Sequence, residues 1–105
     1  MSVLAEFSMF PMDKGESISP YVGRILGMID GSGVSYRLTP MGTIVETETI
    51  DEALRIIREA YATLEPDCNR VSIIAKFDIR KGAGGRLQQK VVSVEQKVGR
   101  KLKAS

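Results

Sequence analysis

The sequence predicts an α+β fold built on an antiparallel β-sheet. Two patterns predict it. In some segments apolar and polar residues alternate, as in half-buried strands, and in others apolar residues recur every three or four positions, as in amphipathic helices. These segments follow the order β-α-β-β-α-β-α along a chain of 105 residues. A chain of this length is typical of one domain, and we assign residues 1–105 to it.

The first strand is predicted over Ser2–Phe10, where the alternation is regular. Its apolar face carries Val3, Ala5, Phe7 and Met9. The opposite face mixes apolar and polar side chains, namely Leu4, Glu6, Ser8 and Phe10. A turn-rich stretch containing aspartate, glycine and serine follows this strand.

The first helix is predicted to open at Ser19-Pro20. Serine is a good N-cap, and proline is tolerated at the first helical position. The apolar stripe of this helix consists of Val22, Ile25, Leu26 and Ile29. Gly31 and Gly33 end the helix, because glycine readily adopts the left-handed conformation of a helix C-terminus.

A hairpin is predicted next, with strands over Val34–Pro40 and Thr43–Thr47. Pro40 ends the first of these strands, because it cannot donate a ladder hydrogen bond. Gly42 permits the tight return of the chain. The second strand is rich in β-branched residues, which favour sheets.

A second helix is predicted after Thr49, which forms a capping box with Glu52 three residues later. Pro66 ends this helix. Its apolar side consists of Ile50, Ala53, Leu54, Ile57, Tyr61 and Leu64.

The fourth strand is predicted over Arg70–Ile79. Its buried face is expected to consist of Val71, Ile73, Ala75, Phe77 and Ile79. The glycine-rich basic loop Lys81–Arg86 follows, and then a last helix ended by Gly99. That helix carries the apolar residues Leu87, Val91, Val94 and Val98.

This order of elements is the ferredoxin-like βαββαβ plan with an extra C-terminal helix. In such a sandwich, two helices cover one face of the sheet. The other face is expected to be half polar here, and a second subunit often closes such a face.

The composition narrows the chemistry. The chain has no histidine, no tryptophan and one cysteine, Cys68. Histidine-based catalytic triads and histidine metal sites are excluded, and a structural zinc site is disfavoured. These absences disfavour an enzyme but leave open a small one that uses Tyr36 or a carboxylate as acid or base. We expect no catalytic residues, no metal and no cofactor.

The cysteine count also bears on the cellular compartment of the protein. A single cysteine cannot form an internal disulfide and fits a reducing compartment. No signal peptide or membrane-spanning run is evident. We therefore expect a cytoplasmic protein with no membrane partner.

The charge is distributed unevenly. Residues 1–52 hold 3 basic and 8 acidic side chains, whereas residues 53–105 hold 12 basic and 5 acidic ones. The basic half leaves open a nucleic-acid or anion-binding module. Nucleic-acid binding is the weaker interpretation, because no basic stripe with interleaved aromatic residues is present. The loop Lys81–Arg86 also lacks the spacing of a phosphate-binding loop.

The hairpin concentrates the residue types that a small-molecule site needs. They are Tyr36, Thr39, Met41, Gly42, Thr43 and Glu46. An aromatic ring, two hydroxyls and a carboxylate suit a flat heterocycle that bears an amino group or a positive charge. A purely structural role also remains open, with Tyr36 in the core, Glu46 solvated and Gly42 only making the turn.

Longer runs of the sequence resemble a known family. The most specific run is Ser32–Glu46, with the pattern S-G-x-x-Y-x-L-x-P-M-G-T followed by E. Supporting runs are Ser17–Val22, Arg70-Val71, Lys76–Arg80 and Lys90–Glu95. Together they resemble the small thiamine-binding family of archaea and bacteria, within the YkoF-like superfamily, whose members were long uncharacterised.

The resemblance implies a ferredoxin-like subunit that assembles through its sheets into a homodimer or homotetramer. It implies thiamine or its hydroxymethylpyrimidine moiety as the ligand, bound without catalysis. Under this interpretation, Glu46 or a backbone carbonyl near Met41 accepts a hydrogen bond from the exocyclic amine. The candidate ligand-binding residues are Phe10, Ser19, Tyr36, Thr39, Met41, Gly42, Thr43 and Glu46.

Overall fold

The structure is a computed structural model that describes residues 1–82 and 85–103, with the side chains of residues 88–90 left out. Its elements are β1 Ser2–Pro11, α1 Ser19–Ser32, β2 Ser35–Thr39, β3 Gly42–Thr47, α2 Ile50–Ala62, β4 Val71–Arg80 and α3 Arg86–Val98. The predicted order of elements and the α+β class are confirmed. The middle of the predicted basic loop, residues 83–84, and the last two residues of the basic tail lie outside the described residues.

The four strands form one antiparallel sheet in the order β2-β3-β1-β4. The pair Thr39 and Gly42 closes the β2–β3 hairpin where the sequence predicts it. β1 is central, and it pairs with β4 along its whole length, from Ser2 opposite Arg80 to Pro11 opposite Val71. The antiparallel sheet is therefore confirmed.

The core lies between one face of the sheet and the helices α1 and α2. The predicted apolar face of β1 is buried, with Val3 and Ala5 fully inaccessible to solvent. From the helices, the buried members of this core are Ile25, Ile29, Ala53, Ile56 and Ala60. The alternation in β1 therefore identifies the core face of the sheet.

The last helix, α3, lies on the opposite face. The Arg37 guanidinium in β2 donates a hydrogen bond of 3.2 Å to the backbone oxygen of Leu87. A cavity of about 390 Å³ beneath the helix is lined by Leu4, Ile44 and Val91. Val94 and Val98 are 41% and 51% exposed, so only part of the predicted apolar stripe is buried.

The start of α1 differs from the prediction. Ile18 is the N-cap residue and makes no side-chain capping bond, whereas Ser19 is already the first helical residue. Pro20 lies in the first turn, as expected. The helix ends at Gly33, whose φ of 80° is left-handed.

Five of the six residues of the apolar stripe predicted for α2 are buried or pack against the core, namely Ile50, Ala53, Ile57, Tyr61 and Leu64. Leu54 is the exception. Leu54 is 48% exposed, whereas Ile56 is 1% exposed and was not in the predicted stripe. Ala53 and Ala60 are fully buried, because small side chains allow the helix to lie close to the sheet. The predicted cap is confirmed, since the Thr49 hydroxyl accepts a 3.1 Å hydrogen bond from the Glu52 amide.

The buried face predicted for β4 is wrong. Ile73 and Ile79 are 42% and 51% exposed, and Ala75 is exposed as well. The physical reason is the position of β4 at the edge of the sheet, beyond the part that α1 and α2 cover. Only Val71 and Phe77 pack against the core.

Candidate functional site

A cavity of about 320 Å³ lies between the first half of α1, the end of β1 and the tip of the β2–β3 hairpin. This volume is within the range of small-molecule sites. Five of the eight predicted ligand-binding residues line it, namely Phe10, Thr39, Met41, Gly42 and Thr43. The hairpin run and the end of β1 therefore meet at one cavity.

Helix α1 supplies the wall that the sequence did not assign to the site. It contributes Val22, Ile25 and Leu26, and Ile18 lies just before it. Val22, Ile25 and Leu26 belong to the apolar stripe that predicts a helix facing the core. The sequence pattern therefore does not distinguish a residue of the core from a residue that lines a cavity. Leu38 and Pro40 of the hairpin also line the cavity. They lie within the sequence run that carries the family resemblance.

The turn of the hairpin is held by Thr39. Its hydroxyl donates a 2.8 Å hydrogen bond to the Gly42 backbone oxygen and accepts one of 3.3 Å from the Met41 amide. The Met41 side chain projects from this turn and is 88% exposed. Thr39 therefore shapes the cavity rim, and Met41 lies free beside the opening.

Gly42 is needed where β3 passes close to β1. A Cβ atom on this residue would lie 2.9 Å from the Phe7 backbone oxygen. Cβ atoms in proteins essentially never approach another heavy atom so closely. The backbone of Gly42 has no positive φ, so its lack of a side chain matters more than its conformational freedom. This close approach fixes the hairpin tip at the cavity.

Two of the predicted site residues, Ser19 and Tyr36, do not line the cavity. Ser19 is exposed at the start of α1 and does not line the cavity. The Tyr36 hydroxyl donates a 2.8 Å hydrogen bond to Asp30 at the end of α1, and this bond raises the pKa of Tyr36. Tyr36 is also absent from the lining, so its ring does not form a stacking wall there.

Glu46 lies farther along β3, where its carboxylate holds the start of α3. It accepts hydrogen bonds from the Ser2 hydroxyl at 2.6 Å and from the Arg86 amide at 3.0 Å. A longer bond of 3.4 Å comes from the Leu87 amide. Burial raises the pKa of Glu46, but these hydrogen bonds outweigh it and leave the pKa below its usual value. Glu46 therefore caps a helix and does not face the cavity.

The Arg86 side chain completes this cluster. Its guanidinium donates to the Ser2 hydroxyl and backbone oxygen, both at 3.1 Å, and forms an ion pair with Asp78 at 3.2 Å. Arg86 is 8% exposed. This end of the predicted basic loop is therefore occupied by internal contacts, which removes Arg86 from any anion-binding surface.

The chemistry of the cavity is that of an apolar slot with a few polar groups. None of the described residues that line it is charged, and its hydroxyls come from Ser8, Thr39 and Thr43. Such a lining favours a flat, neutral heterocycle, because a buried charge without a partner is costly.

A second and more open cavity, of about 880 Å³, lies at the opposite end of β2 and β3 and is lined by Glu46, Glu48 and Glu52, among others. Within residues 1–82 and 85–103, no three histidine, cysteine, aspartate or glutamate residues are grouped to hold a metal ion. Cys68 is buried, and burial raises the pKa of its thiol. In the same residues, no helix is long and apolar enough to cross a bilayer.

Comparison with known proteins identifies the family of the chain. A family model described as thiamine-binding protein matches residues 5–95. The UPF0045 protein Mb1933 of Mycobacterium bovis is 32% identical over 95 residues, covering 90% of this chain and 93% of the relative. The UPF0045 protein MJ1052 of Methanocaldococcus jannaschii is 32% identical over 92 residues, covering 88% and 91%.

Solved structures show the same fold. The crystal structure of MJ1052 matches with a TM-score of 0.80 at 30% identity, over 90% of this chain and 97% of that one. A domain of unknown function from Bacillus cereus matches with a TM-score of 0.74 at 26% identity, over 87% and 88% of the two chains. The sequence, the fold and the family match agree over nearly the whole chain, which therefore belongs to the thiamine-binding protein family.

Proposed function

We infer that this protein binds thiamine or its hydroxymethylpyrimidine moiety, without catalysis, in the cavity between α1 and the β2–β3 hairpin. Membership of the thiamine-binding family supports a thiamine-related ligand. The single observation that carries the location is the cavity of about 320 Å³, lined by five of the residues expected to contact the ligand.

The lining supports the pyrimidine ring as the part that enters. The aminopyrimidine is flat and neutral, and the apolar side chains of Phe10 and Leu26 suit its faces. The hydroxyl of Thr43 suits the ring nitrogens, since hydroxyls both donate and accept hydrogen bonds. The thiazolium of thiamine carries a positive charge, and the described residues that line the cavity include no carboxylate to pair with it. We therefore place the thiazolium at the open side, next to the exposed Met41.

Two further features belong to this proposal. The strand order β2-β3-β1-β4 supports a ferredoxin-like arrangement of the βαββαβ part. The exposed apolar residues of β4 support assembly of the chain into a homodimer or homotetramer.

The test is isothermal titration of the ligand-stripped protein with thiamine and with hydroxymethylpyrimidine. We expect both to bind with comparable affinity, because the shared ring makes the buried contacts. Absence of heat with both ligands at several temperatures would remove the proposed function. Tight binding of thiamine alone would instead place the thiazolium inside the cavity.

A matched pair of variants tests the location. Thr43→Val keeps the shape of the side chain and removes its hydroxyl. We expect a loss of about 0.5–1.5 kcal/mol in binding free energy, the usual value of one hydrogen bond. Glu46→Gln is the control, because Glu46 lies outside the cavity. Loss of affinity in Glu46→Gln but not in Thr43→Val would contradict the assignment.

A further inference from the structure

The cavity beneath α3, called here the α3 cavity, lies on the face of the sheet opposite the core. Its volume is about 390 Å³, which is within the range of small-molecule sites. Leu4 of β1 and Ile44 of β3 line it from the sheet, and Val91 lines it from α3. The described residues of this lining are all different from those of the cavity between α1 and the hairpin. The two cavities are therefore separate.

Hydrogen bonds hold both ends of the helix above this cavity. At its start, the Glu46 carboxylate accepts a 3.0 Å hydrogen bond from the Arg86 amide. At its end, the Gly99 amide donates a 2.8 Å hydrogen bond to the Glu95 backbone oxygen, and the left-handed φ of Gly99 turns the chain. The Leu102 amide then donates to the Glu95 carboxylate at 2.5 Å, so Leu102 returns to the cavity. These contacts fix the helix without filling the space beneath it.

Most of the lining is apolar. Its apolar members are Leu4, Ile44, Leu87, Val91, Val94 and Leu102. Each of these side chains keeps part of its surface accessible to solvent. Protein interiors usually close such spaces, because atoms that line a gap lose van der Waals contacts. Water fills an apolar space poorly, because it finds few hydrogen-bond partners there. The lining therefore favours an apolar group of a ligand.

The charged residues described in the lining are all basic, namely Arg37, Arg86 and Lys103. Arg86 is engaged by Ser2 and Asp78 within the chain. Arg37 is half-buried, and one of its N–H groups donates a 3.2 Å hydrogen bond to the backbone oxygen of the first turn of α3. Because a guanidinium has several N–H donors, Arg37 can also bind an anion. Lys103 is exposed at the rim.

The acidic residues of this sheet face do not cancel the positive charge. Glu46 accepts hydrogen bonds from the start of α3, and Asp78 forms the ion pair with Arg86. Glu6 lies opposite Ile44 in β3 and Lys76 in β4, but it is exposed and is not among the lining residues. An anion in the cavity would therefore be attracted by its basic lining.

We propose that the α3 cavity binds a small organic acid that has an apolar chain or ring, with its carboxylate at Arg37. The apolar part lies between the sheet and α3. The carboxylate faces the guanidinium, because two parallel N–H groups match the two oxygens of a carboxylate. Lys103 adds a second positive charge at the rim. This site does not depend on the proposed thiamine site.

The lining distinguishes such an acid from two other kinds of ligand. A cation with the same apolar chain would be repelled by Arg37 and Lys103. A carboxylate without an apolar chain would leave the apolar side chains of the cavity without contacts. Both parts of the ligand are therefore required.

Isothermal titration of the full chain with octanoate tests the proposal. Acetate is the control that lacks the chain, and octylamine, which is protonated at neutral pH, is the control with the opposite charge. We expect one octanoate to bind per chain, and both controls to bind at least about tenfold more weakly. No heat with octanoate would overturn the site. Equal affinities for octanoate and octylamine would show that the charge plays no part and would overturn it as well.

A matched pair of variants tests the position of the carboxylate. Arg37→Gln removes the positive charge in the lining, and we expect it to weaken octanoate binding at least about tenfold. Arg58→Gln is the control, because Arg58 is exposed on α2 and lies outside the lining. Equal losses in the two variants would show a general effect of net charge and would overturn the role of Arg37.

A second pair tests the position of the apolar chain. Val91→Phe places a larger side chain in the cavity, so we expect it to lose octanoate binding with an unchanged circular dichroism spectrum. Val92→Phe is the control, because Val92 is 47% exposed and lies outside the lining. Binding of octanoate to Val91→Phe with the affinity of the wild type would overturn the location. If Val91→Phe does not fold, the comparison of Arg37→Gln with Arg58→Gln still decides the proposal.

Two further measurements separate this site from the proposed function and from a second copy of the chain. Arg37 lies outside the lining of the cavity between α1 and the hairpin, so Arg37→Gln should bind thiamine with the affinity of the wild type. Thiamine binding without octanoate binding would overturn this inference alone, and the reverse result would remove only the proposed function. An affinity for octanoate that falls as the protein concentration rises would assign the α3 cavity to a second copy and overturn the ligand site.

Discussion

Gly42 shows how one missing side chain positions the site. The Cβ atom of an alanine here would meet the Phe7 backbone oxygen at 2.9 Å, and backbone cannot swing aside as a flexible side chain can. We expect Gly42→Ala to lower the free energy of unfolding by about 1–3 kcal/mol, the usual cost of overpacking. Urea denaturation measures this change.

The control for that substitution is Gly27→Ala in α1. A Cβ atom at Gly27 has nothing within 4 Å, and alanine favours helices over glycine by about 1 kcal/mol. Gly27→Ala should therefore be neutral or stabilising. Equal losses in the two variants would show that the close approach to Phe7 is not what requires glycine at position 42.

Glu46 illustrates a residue whose role depends on contacts remote in sequence. We expect Glu46→Gln to destabilise the protein by roughly 1–3 kcal/mol, because charge-assisted hydrogen bonds to Ser2 and Arg86 are weakened. Amide hydrogen exchange should accelerate in α3 before it does in the core. Glu48→Gln is the control, since Glu48 is exposed. Unchanged exchange in α3 would contradict the capping role.

At the scale of elements, α2 shows that hydrophobicity alone does not identify which residues of a helix are buried. Ile56→Ala should cost about 2–5 kcal/mol, because Ile56 is 1% exposed and its removal leaves a cavity. Leu54→Ala should cost much less, because Leu54 is 48% exposed. Thermal or chemical unfolding of the two variants compares them directly. Equal costs would contradict this difference in burial.

At the scale of the whole molecule, the free energy of unfolding should decrease at acidic pH, because the folded state pairs several carboxylates. The hydrogen bond and ion pair with Arg24, at 2.7 Å, lower the pKa of Asp67 to about 2. Hydrogen bonds from the backbone of Asn69 and Arg70 lower the pKa of Asp13. A lowered folded-state pKa contributes stability that is complete above the unfolded value and is lost as pH falls through the folded value.

We therefore expect the free energy of unfolding to be nearly flat from about pH 5.5 to 7.5, since the chain has no histidine. It should fall as the pH drops from about 4 to 2. Arg24→Gln removes the largest cause of the Asp67 shift, so it should raise that pKa toward the usual range. Carboxyl titration by NMR measures the pKa, and denaturation at a series of pH values measures stability. A wild-type stability unchanged down to pH 2 would contradict this expectation.

The local order of the fold was predictable from neighbouring residues. Alternation in β1, the cap at Thr49 and the break at Pro40 act within a few positions of the chain, and each is found where the pattern places it. The hairpin contributed four of the five predicted residues at the cavity, because Thr39, Met41, Gly42 and Thr43 are held together by one turn. The fifth, Phe10, comes from the end of β1.

The remaining features depend on how elements meet, and no pattern along the chain records that. Alternation marks an apolar face of β4, but its position at the sheet edge leaves that face half exposed. Glu46 follows the hairpin closely in sequence, yet it points to the start of α3, forty residues onward. The residues of α1 that line the cavity have the same apolar spacing as those of a helix that faces the core. Local propensity and periodicity thus specify elements and their order, whereas burial, the cavity wall and the partner of each charge arise from contacts between distant segments.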